Sequence, residues 1–340
     1  MRRPPRLPVW PFWQGLAISV LGLVARPLAD KLEDTFGGRV CPMQLDHKQS
    51  DPFLLLVHHR HAFRKYDPLR SIFSRLVMPE GFPAHPHRGF ETITYVLPDR
   101  GGLVHRDSTG TKMRYADGSC QWMTAGRGIL HEEMWDTSEF EEHELYQIWL
   151  NLPPHRKLME PAVQLLHSEG SLAEVECEGR TPVRKTVIPM TDEDSGRVLI
   201  RHLGGGESGA FTQSEVLIQH VTMRDRGAKL DMTLPQDWTC IIYVRDGCID
   251  LGEDRFAHKF ELCDLSRQGR LRLTNSNNGV TDFLLLAGKP IGAPVAAQGP
   301  MVMNTDAEVG EAMRDYSMGY FGSPWDHSAN DDEWKQICNT

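Results

Sequence analysis

Short hydrophobic runs of β-branched, aromatic and aliphatic residues recur along the chain from Asp51 onward, and Gly, Pro, Asn or Asp punctuates them. This pattern is typical of β-strands joined by turns. The runs that predict strands are SIFSRLVM (71–78), FETITYVL (90–97), YQIWLNL (146–152), SEVLIQHVTM (214–223), CIIYV (240–244) and DFLLLAG (282–288). Many short strands with frequent turns indicate an all-β protein built as a sandwich or a barrel.

A polar, acidic segment at 167–182 separates two β-rich halves and predicts an inter-domain connection. The predicted units are a barrel over 46–170 and a second barrel with a helix over 180–322, each barrel having about 120 residues. Asp246-Gly247 predicts a tight hairpin in the second barrel.

One short helix is predicted near the C-terminus. Thr305 precedes Glu308 by three residues, which is a capping box. The apolar residues that follow recur at helical spacing, namely Val309, Ala312, Met313 and Tyr316. Residues 323–340 are acidic and show no periodicity, so they predict a mobile tail.

Residues 1–45 form a predicted N-terminal extension. The basic stretch MRRPPR precedes an apolar run at 15–25, which is shorter than the roughly 20 residues that span a bilayer. A basic start followed by a short apolar run resembles a signal peptide, although a clean cleavage site is missing. The extension is therefore expected to be a targeting segment, or else to be disordered or packed on the domain, and any membrane contact is expected only through residues 9–25.

Net charge and cysteine content bear on nucleic-acid binding and on the cellular compartment. A net charge of −9 argues against direct binding to nucleic acid, which needs clustered Lys and Arg. The 7 cysteines form no CxxC pair and are odd in number, which favours a reducing compartment. We expect the cytoplasm, the nucleus or both, and secretory or organelle targeting by the extension is the alternative.

The candidate chemistry lies in HPHRGFETITYV and QWMTAGRGILHEEMW. Side chains alternate along a strand, so His85 and His87 share one face, as do His131 and Glu133. Two strands that bring these pairs into one barrel place three imidazoles and a carboxylate around one point. Such a set suits Fe, Cu, Ni or Zn and leaves coordination positions open, as at a reactive metal.

Glu91 is an alternative carboxylate ligand. A regular strand from His85 would place Glu91 on the face of the two histidines. Gly89 predicts a bend or bulge that would turn Glu91 aside. The spacing alone leaves open which glutamate binds.

Other histidines and methionines carry weaker signals. His105, in LVHRDSTG, is interpreted as a turn or surface residue, with a base near the metal as the alternative. Met301 and Met303 are interpreted as core residues. A further cluster is interpreted as part of a solvated segment, with a second metal site as the alternative: His58, His59 and His61.

Several long motifs resemble the pirin family of the cupin superfamily, from about Asp51 to Gly322. They are DPFLLL (51–56), GFPAHPHRGFETITYVL (81–97), HRDSTG (105–110), QWMTAGRGILHEEM (121–134), QIWLNLP (147–153) and GPMVMNTDAEVGEAMRDYSMGYFG (299–322). The resemblance implies a bicupin, in which two cupin-type β-barrels face one another and only the N-terminal barrel holds metal.

The resemblance also implies the ligands and the activity. The metal is expected to be Fe(2+), other divalent transition metals being alternatives, and its ligands His85, His87, His131 and Glu133, whereas Glu91 is not a ligand. The implied function is a quercetin 2,3-dioxygenase type reaction, in which a flavonol-like substrate is opened by O2 and Glu133 accepts the hydroxyl proton. The alternative is a non-enzymatic redox sensor that binds a nuclear transcription partner. We expect a monomer.

Overall fold

The computed structural model describes residues 39–63, 81–167, 173–177, 185–265 and 269–339. The apolar run at 15–25 and the predicted strand at 71–78 lie outside the described residues. Within the described ranges, no helix is both long enough and apolar enough to cross a membrane.

The N-terminal barrel consists of two sheets that face each other. The seven-stranded sheet contains, in spatial order, β1 (Arg39–Gln44), β2 (Phe53–Ala62), β9 (Glu142–Asn151), β4 (Phe90–Val96), β7 (Cys120–Thr124), β10 (Ala162–His167) and β12 (Lys185–Pro189). The five-stranded sheet contains β11 (Ala173–Cys177), β6 (Thr111–Tyr115), β5 (Leu103–Asp107), β8 (Ile129–Trp135) and β3 (Gly81–His87). Buried residues from both sheets, including Met123, Leu145, Tyr115 and Ile129, fill the space between them.

The C-terminal barrel repeats this plan with fewer strands. Its six-stranded sheet contains β13 (Thr191–Asp194), β14 (Val198–Gly204), β15 (Val216–Met223), β22 (Thr281–Gly288), β17 (Thr239–Asp246) and β20 (Leu262–Asp264). Its four-stranded sheet contains β16 (Lys229–Thr233), β21 (Arg270–Asn275), β18 (Cys248–Gly252) and β19 (Arg255–His258). A hydrophobic core that includes Ile242, Leu273 and Phe283 fills this barrel.

The two barrels pack through the outer faces of their larger sheets. Ile93, Trp122 and Ile148 of the first barrel lie in one buried cluster with Ile218 and Leu284 of the second. Because both faces of the seven-stranded sheet are covered, every residue of β4 is buried. This explains why its sequence, FETITYV, contains no exposed polar position. The all-β bicupin architecture predicted from the sequence is confirmed.

The C-terminal residues return to the first barrel. The hairpin of β23 (Ala296–Gln298) and β24 (Met301–Met303) leads into helix α1 (Asp306–Ser317), and helix α2 (Asp331–Cys338) follows. The predicted capping box of Thr305 and Glu308 is present at the start of α1. Met301 and Met303 are buried, as predicted, in a cluster with Leu130 of β8.

Four local predictions are wrong. The acidic tail at 323–340 contains α2, which has its own capping box and buries Trp334. Residues 39–44 of the predicted extension pair with β2. Within the predicted connection at 167–182, residues 173–177 form β11, which pairs with β6. Residues 168–172 and 178–182 lie outside the described residues. Asp246-Gly247 makes no hairpin, because β17 and β18 belong to different sheets.

Candidate metal centre

Strands β3 and β8 are antiparallel neighbours, and they bring the two histidine motifs together. His85 and His131 are direct cross-strand partners. One ring nitrogen from each of His85, His87 and His131 lies within 4.8 Å of the other two. The structure therefore brings together three of the four residues that the sequence predicts as ligands, inside the first barrel.

Burial keeps these three imidazoles neutral. His87 and His131 are buried and His85 is half-buried. Desolvation lowers the pKa of His85, and it lowers the pKa of His87 and His131 well below the ordinary histidine value. The neighbouring histidines lower the pKa of these two further. A neutral imidazole is the form that binds a metal.

The hydrogen bonds of the cluster leave ring nitrogens available. His85 donates from Nδ1 to the backbone oxygen of Pro83 at 2.8 Å, so the lone pair of His85 is on Nε2. The buried atoms His87 Nδ1 and His131 Nε2 have no hydrogen-bond partner among the described residues. Buried polar atoms are normally paired. Three neutral imidazoles with unpaired nitrogens fit a divalent transition metal.

Glu133 lies on the same face of β8 as His131, and its carboxylate is fully buried. Its Oε1 accepts hydrogen bonds from the hydroxyls of Tyr115 at 2.8 Å and Thr94 at 3.0 Å. Its Oε2 accepts from the side-chain amide of Gln147 at 2.9 Å. These three donors offset the cost of burying the carboxylate. The carboxylate is not among the groups of the 4.8 Å cluster.

Glu91 lies elsewhere, because the chain bends after His87. Gly89 has φ of +85°, and a Cβ atom at this residue would lie 2.0 Å from the backbone oxygen of Val302. Strands β3 and β4 consequently belong to different sheets. Glu91 is on the face of β4 that carries Ile93 of the inter-barrel core, and its Oε1 accepts from the Thr124 hydroxyl at 2.6 Å. The predicted interruption at Gly89 is confirmed.

Most of the chain matches one family of known proteins. Residues 37–150 match the sequence profile of the family Pirin, and residues 220–322 match that of the Pirin C-terminal cupin domain. Pirin from Rattus norvegicus is 38% identical over 241 residues, which cover 70% of this chain and 76% of that protein. The chain belongs to the pirin family. Pirin-1 from Arabidopsis thaliana is 32% identical over 310 residues, covering 88% of this chain and 94% of the relative.

A solved structure resembles this chain over most of its length. It is quercetin 2,3-dioxygenase from Acinetobacter baumannii, with a TM-score of 0.66 and 28% sequence identity. The match covers 85% of this chain and 93% of the other. The fold predicted from the sequence motifs is thus also the fold of a dioxygenase.

His105 lies beside the three histidines, a position that the sequence analysis gave only as the alternative. It is fully buried on β5 rather than in a turn or on the surface, and its Nδ1 lies 3.4 Å from Nδ1 of His131. Its Nε2 is 3.1 Å from Oδ2 of Asp107. Burial raises the pKa of Asp107, but hydrogen bonds from His105 and Thr109 outweigh burial and lower the pKa overall. The alternation of His105 and Asp107 repeats the spacing of the other motifs and was the available signal.

The cluster of His58, His59 and His61 is also not a solvated segment. These residues belong to β2, where His58 and His59 are buried and His61 is half-buried. His58 Nε2 donates to Glu144 at 2.9 Å, and its Nδ1 lies 3.0 Å from the Tyr243 hydroxyl of the second barrel. Desolvation lowers the pKa of His59 to about 3 and that of His61 to about 4. Burial of both faces of the sheet explains why these three histidines are not exposed, although Arg60 between them is.

Proposed function

We propose that this pirin binds a divalent transition metal, with Fe(2+) as the physiological ion, and opens the ring of flavonol-like substrates with O2. The ligands in this proposal are His85, His87, His131 and Glu133. The observation that carries it is the convergence of three neutral imidazole nitrogens within 4.8 Å inside the first barrel. The likeness to a quercetin 2,3-dioxygenase supports the choice of reaction.

The metal, when bound, supplies charge stabilisation and orientation for the reaction of an enolisable substrate with O2. The protein supplies the proton acceptor. Glu133 is the buried carboxylate on the strand of His131, and it takes the hydroxyl proton of the substrate. Tyr115, Thr94 and Gln147 hold its oxygens in place.

An aromatic wall beside the histidines favours a flat ligand. The half-buried ring of Trp149 lies 5.5 Å from the His87 ring and 4.5 Å from the Phe90 ring, measured between centroids. The indole donates from Nε1 to Gln147 Oε1 at 3.3 Å. Gln147 also donates to Glu133, so it connects Trp149 with the carboxylate. Aromatic rings contact one another favourably in offset or edge-to-face arrangements.

Oxygen uptake tests the proposed activity. Protein purified without a chelating tag is loaded with Fe(2+) and screened in an oxygen electrode against flavonols, with flavones that lack the 3-hydroxyl as control substrates. We expect uptake with flavonols only, and loss of uptake in Glu133→Gln despite retention of part of the metal. A fully loaded protein that consumes no oxygen with any flavonol would refute the dioxygenase assignment.

A second candidate function is a redox sensor that binds a protein partner through its metal state. One observation favours it: the bend after His87 is bonded to the C-terminal hairpin. Arg88 N donates to Pro300 O at 3.2 Å, and Val302 N donates to Arg88 O at 3.0 Å. The region that follows exposes Met318 and Tyr320. A structural change at His87 can therefore reach the exposed apolar residues Met318 and Tyr320 through the C-terminal hairpin.

Hydrogen exchange distinguishes this second candidate. The ferrous and ferric forms are compared by mass spectrometry over the peptides that contain α1 and residues 318–322. A redox sensor predicts different exchange rates in these peptides between the two forms. Identical exchange in both forms would exclude signalling by this path.

A further inference from the structure

Behind His131, a buried chain of side chains runs from β8 through β5 to β7. Asp107, His105, Gln121 and His131 are each fully buried. None of them is exposed to solvent, so the hydrogen bonds that they make are to other groups of the protein. The order of donors and acceptors in this chain is thereby constrained.

The carboxylate of Asp107 determines the proton position on His105. Oδ1 of Asp107 already accepts hydrogen bonds from Thr109 N at 2.8 Å, Thr109 Oγ1 at 2.6 Å and Thr111 N at 3.1 Å. Oδ2 faces His105 Nε2 at 3.1 Å. An ionised carboxylate only accepts, so His105 carries its proton on Nε2. Its Nδ1 is then a lone pair, which accepts from the Gln121 side-chain amide at 2.8 Å.

The proton position on His105 in turn determines the proton position on His131. The two Nδ1 atoms lie 3.4 Å apart. The single lone pair on Nδ1 of His105 is shared between the Gln121 amide and His131, so Nδ1 of His131 is a donor and carries the proton. Nε2 of His131 is then unprotonated, and it is the buried atom that has no partner among the described residues. A histidine that binds a metal through Nε2 needs this tautomer.

We infer that Asp107 and His105 are positioning residues that fix the tautomer of His131, so that Nε2 presents its lone pair to a metal ion. His85 obtains the same result from the backbone oxygen of Pro83. Partners of this kind orient a ligand imidazole and increase its basicity. His105 itself is not a ligand, because Asp107 and Gln121 engage both of its nitrogens. This inference rests on the proposed metal binding by His131 and is independent of the reaction.

Asp107→Asn is the sharpest variant. The asparagine oxygen retains the three hydrogen bonds that Oδ1 accepts, while the amide nitrogen replaces Oδ2 and donates to His105 Nε2. The proton of His105 then moves to Nδ1 and faces His131. Gln121 and His131 both lose the lone pair to which they donate in the wild type. His131 then carries its proton on Nε2, which blocks the nitrogen that faces the metal.

Glu132→Gln is the matched control. Glu132 is the neighbour of His131 on the opposite face of β8, and its Oε1 accepts from Arg106 Nε of β5 at 2.5 Å. This variant also removes a buried carboxylate that joins β5 and β8. It does not touch the chain behind His131, so it reports any general effect of weakening the strand pair.

The tautomer of His131 is read by 15N NMR in metal-free, 15N-histidine-labelled protein, with the signal assigned by its loss in His131→Asn. Metal affinity is measured by competition with a chelator at fixed pH. We expect an unprotonated Nε2 in wild type and in Glu132→Gln. In Asp107→Asn we expect a protonated Nε2 and metal binding weaker by about 10–100-fold.

Two outcomes would overturn the inference. One is a protonated Nε2 on His131 of the metal-free wild type, which needs no variant to fold. The other is Asp107→Asn binding metal as tightly as wild type. A wild-type protein that binds no metal would instead refute the proposed function, while the NMR measurement would still decide the tautomer.

Discussion

Glu91 and Glu133 are both fully buried carboxylates, yet their partners give them different chemistry. Three donors surround the carboxylate of Glu133 inside the barrel. Glu91 has the Thr124 hydroxyl on Oε1, whereas its Oε2 has no hydrogen-bond partner among the described residues. Desolvation therefore raises the pKa of Glu91 to about 7. Residue spacing alone could not separate the two, because the bend at Gly89 decides which face Glu91 occupies.

The raised pKa of Glu91 predicts a pH-dependent stability. A carboxyl group whose pKa is higher in the folded protein stabilises it fully below the unfolded pKa, and this contribution is lost as pH rises through about 7. Glu91→Gln lacks this loss. As pH rises from about 5 to about 8, the free energy of unfolding of the wild type should fall relative to that of Glu91→Gln by up to about 3 kcal/mol.

Urea unfolding of both proteins at the two pH values measures this difference. Thr124→Val, which removes the hydroxyl that Glu91 accepts from, should enlarge the pH dependence because the carboxylate loses a donor that lowers its pKa. If Glu91→Gln and wild type showed the same pH dependence, Glu91 would be ionised in the folded protein.

At the scale of secondary structure, the sequence predicts elements whose signal is local. The strand over FETITYVL and the capping box of α1 depend on residue type and spacing within a few positions, and both occur. Asp246-Gly247 satisfies the local requirement of a turn, but the second barrel uses that turn to pass from one sheet to the other. Which sheet a strand joins is a property of distant residues, and local spacing does not contain it.

Helix α2 shows the same limit. Its sequence looks like a polar tail because the surface that buries it is supplied by β5 and β6. Trp334 is buried, and Arg106 lies 5.6 Å from the centre of the indole. Arg106 also donates to Ala329 O at 2.8 Å, and Lys112 pairs with Asp331 at 2.7 Å. The helix therefore covers the outer face of the sheet that carries His131.

This packing predicts a large effect of a change in the supposed tail. Trp334→Ala should lower the free energy of unfolding by about 3–5 kcal/mol, because it leaves a cavity between α2 and the sheet. Tyr320→Ala is the control, since Tyr320 is 60% exposed, and should change stability by no more than about 0.5 kcal/mol. Equal stability of the two variants in urea would mean that α2 does not pack on the barrel.

At the scale of the whole molecule, reciprocal polar contacts join the two barrels. His58 of the first barrel meets Tyr243 of the second, and His220 of the second meets Tyr95 of the first, with Nδ1 to hydroxyl distances of 3.0 and 2.8 Å. Each histidine donates from Nε2 to a buried carboxylate, Glu144 for His58 and Asp282 for His220. Arg245 lies 3.5 Å from Glu144 and 2.7 Å from Asp282 and connects the two pairs.

These contacts predict acid sensitivity of the barrel interface. Burial raises the pKa of Glu144, but the hydrogen bond from His58 and the charge of Arg245 outweigh burial and lower the pKa to about 2. A carboxyl with a lowered pKa stabilises the fold above its unfolded pKa, and this is lost as pH falls towards about 2. Glu144→Gln should cost about 3 kcal/mol near pH 7 and progressively less below about pH 4.5.

The check is urea unfolding across this pH range, with Glu142→Gln as the control because Glu142 is an exposed neighbour on the same strand. A loss in Glu144→Gln that stays constant down to about pH 2.5 would show that the carboxylate is not held ionised by its partners.

The N-terminal residues are expected to be dispensable for the folded unit. The pirin match begins at residue 37 and β1 begins at Arg39. Deletion of residues 1–38 should leave the melting temperature and the metal content of the full-length protein unchanged. Insoluble or metal-free protein after this deletion would show that the apolar run at 15–25 is part of the domain.

The central claim is that one divalent metal ion binds where His85, His87 and His131 converge. Equilibrium dialysis against Fe(2+), with metal quantified by mass spectrometry, tests it on tag-free protein. The account predicts about one ion per chain, severe loss in the alanine variant of each histidine, and a weaker site in Glu133→Ala. It predicts wild-type metal occupancy in Glu91→Ala, because Glu91 lies on the face of the seven-stranded sheet that points to the second barrel and away from the three histidines. Full occupancy in His131→Ala, or a greater loss in Glu91→Ala than in Glu133→Ala, would contradict the account.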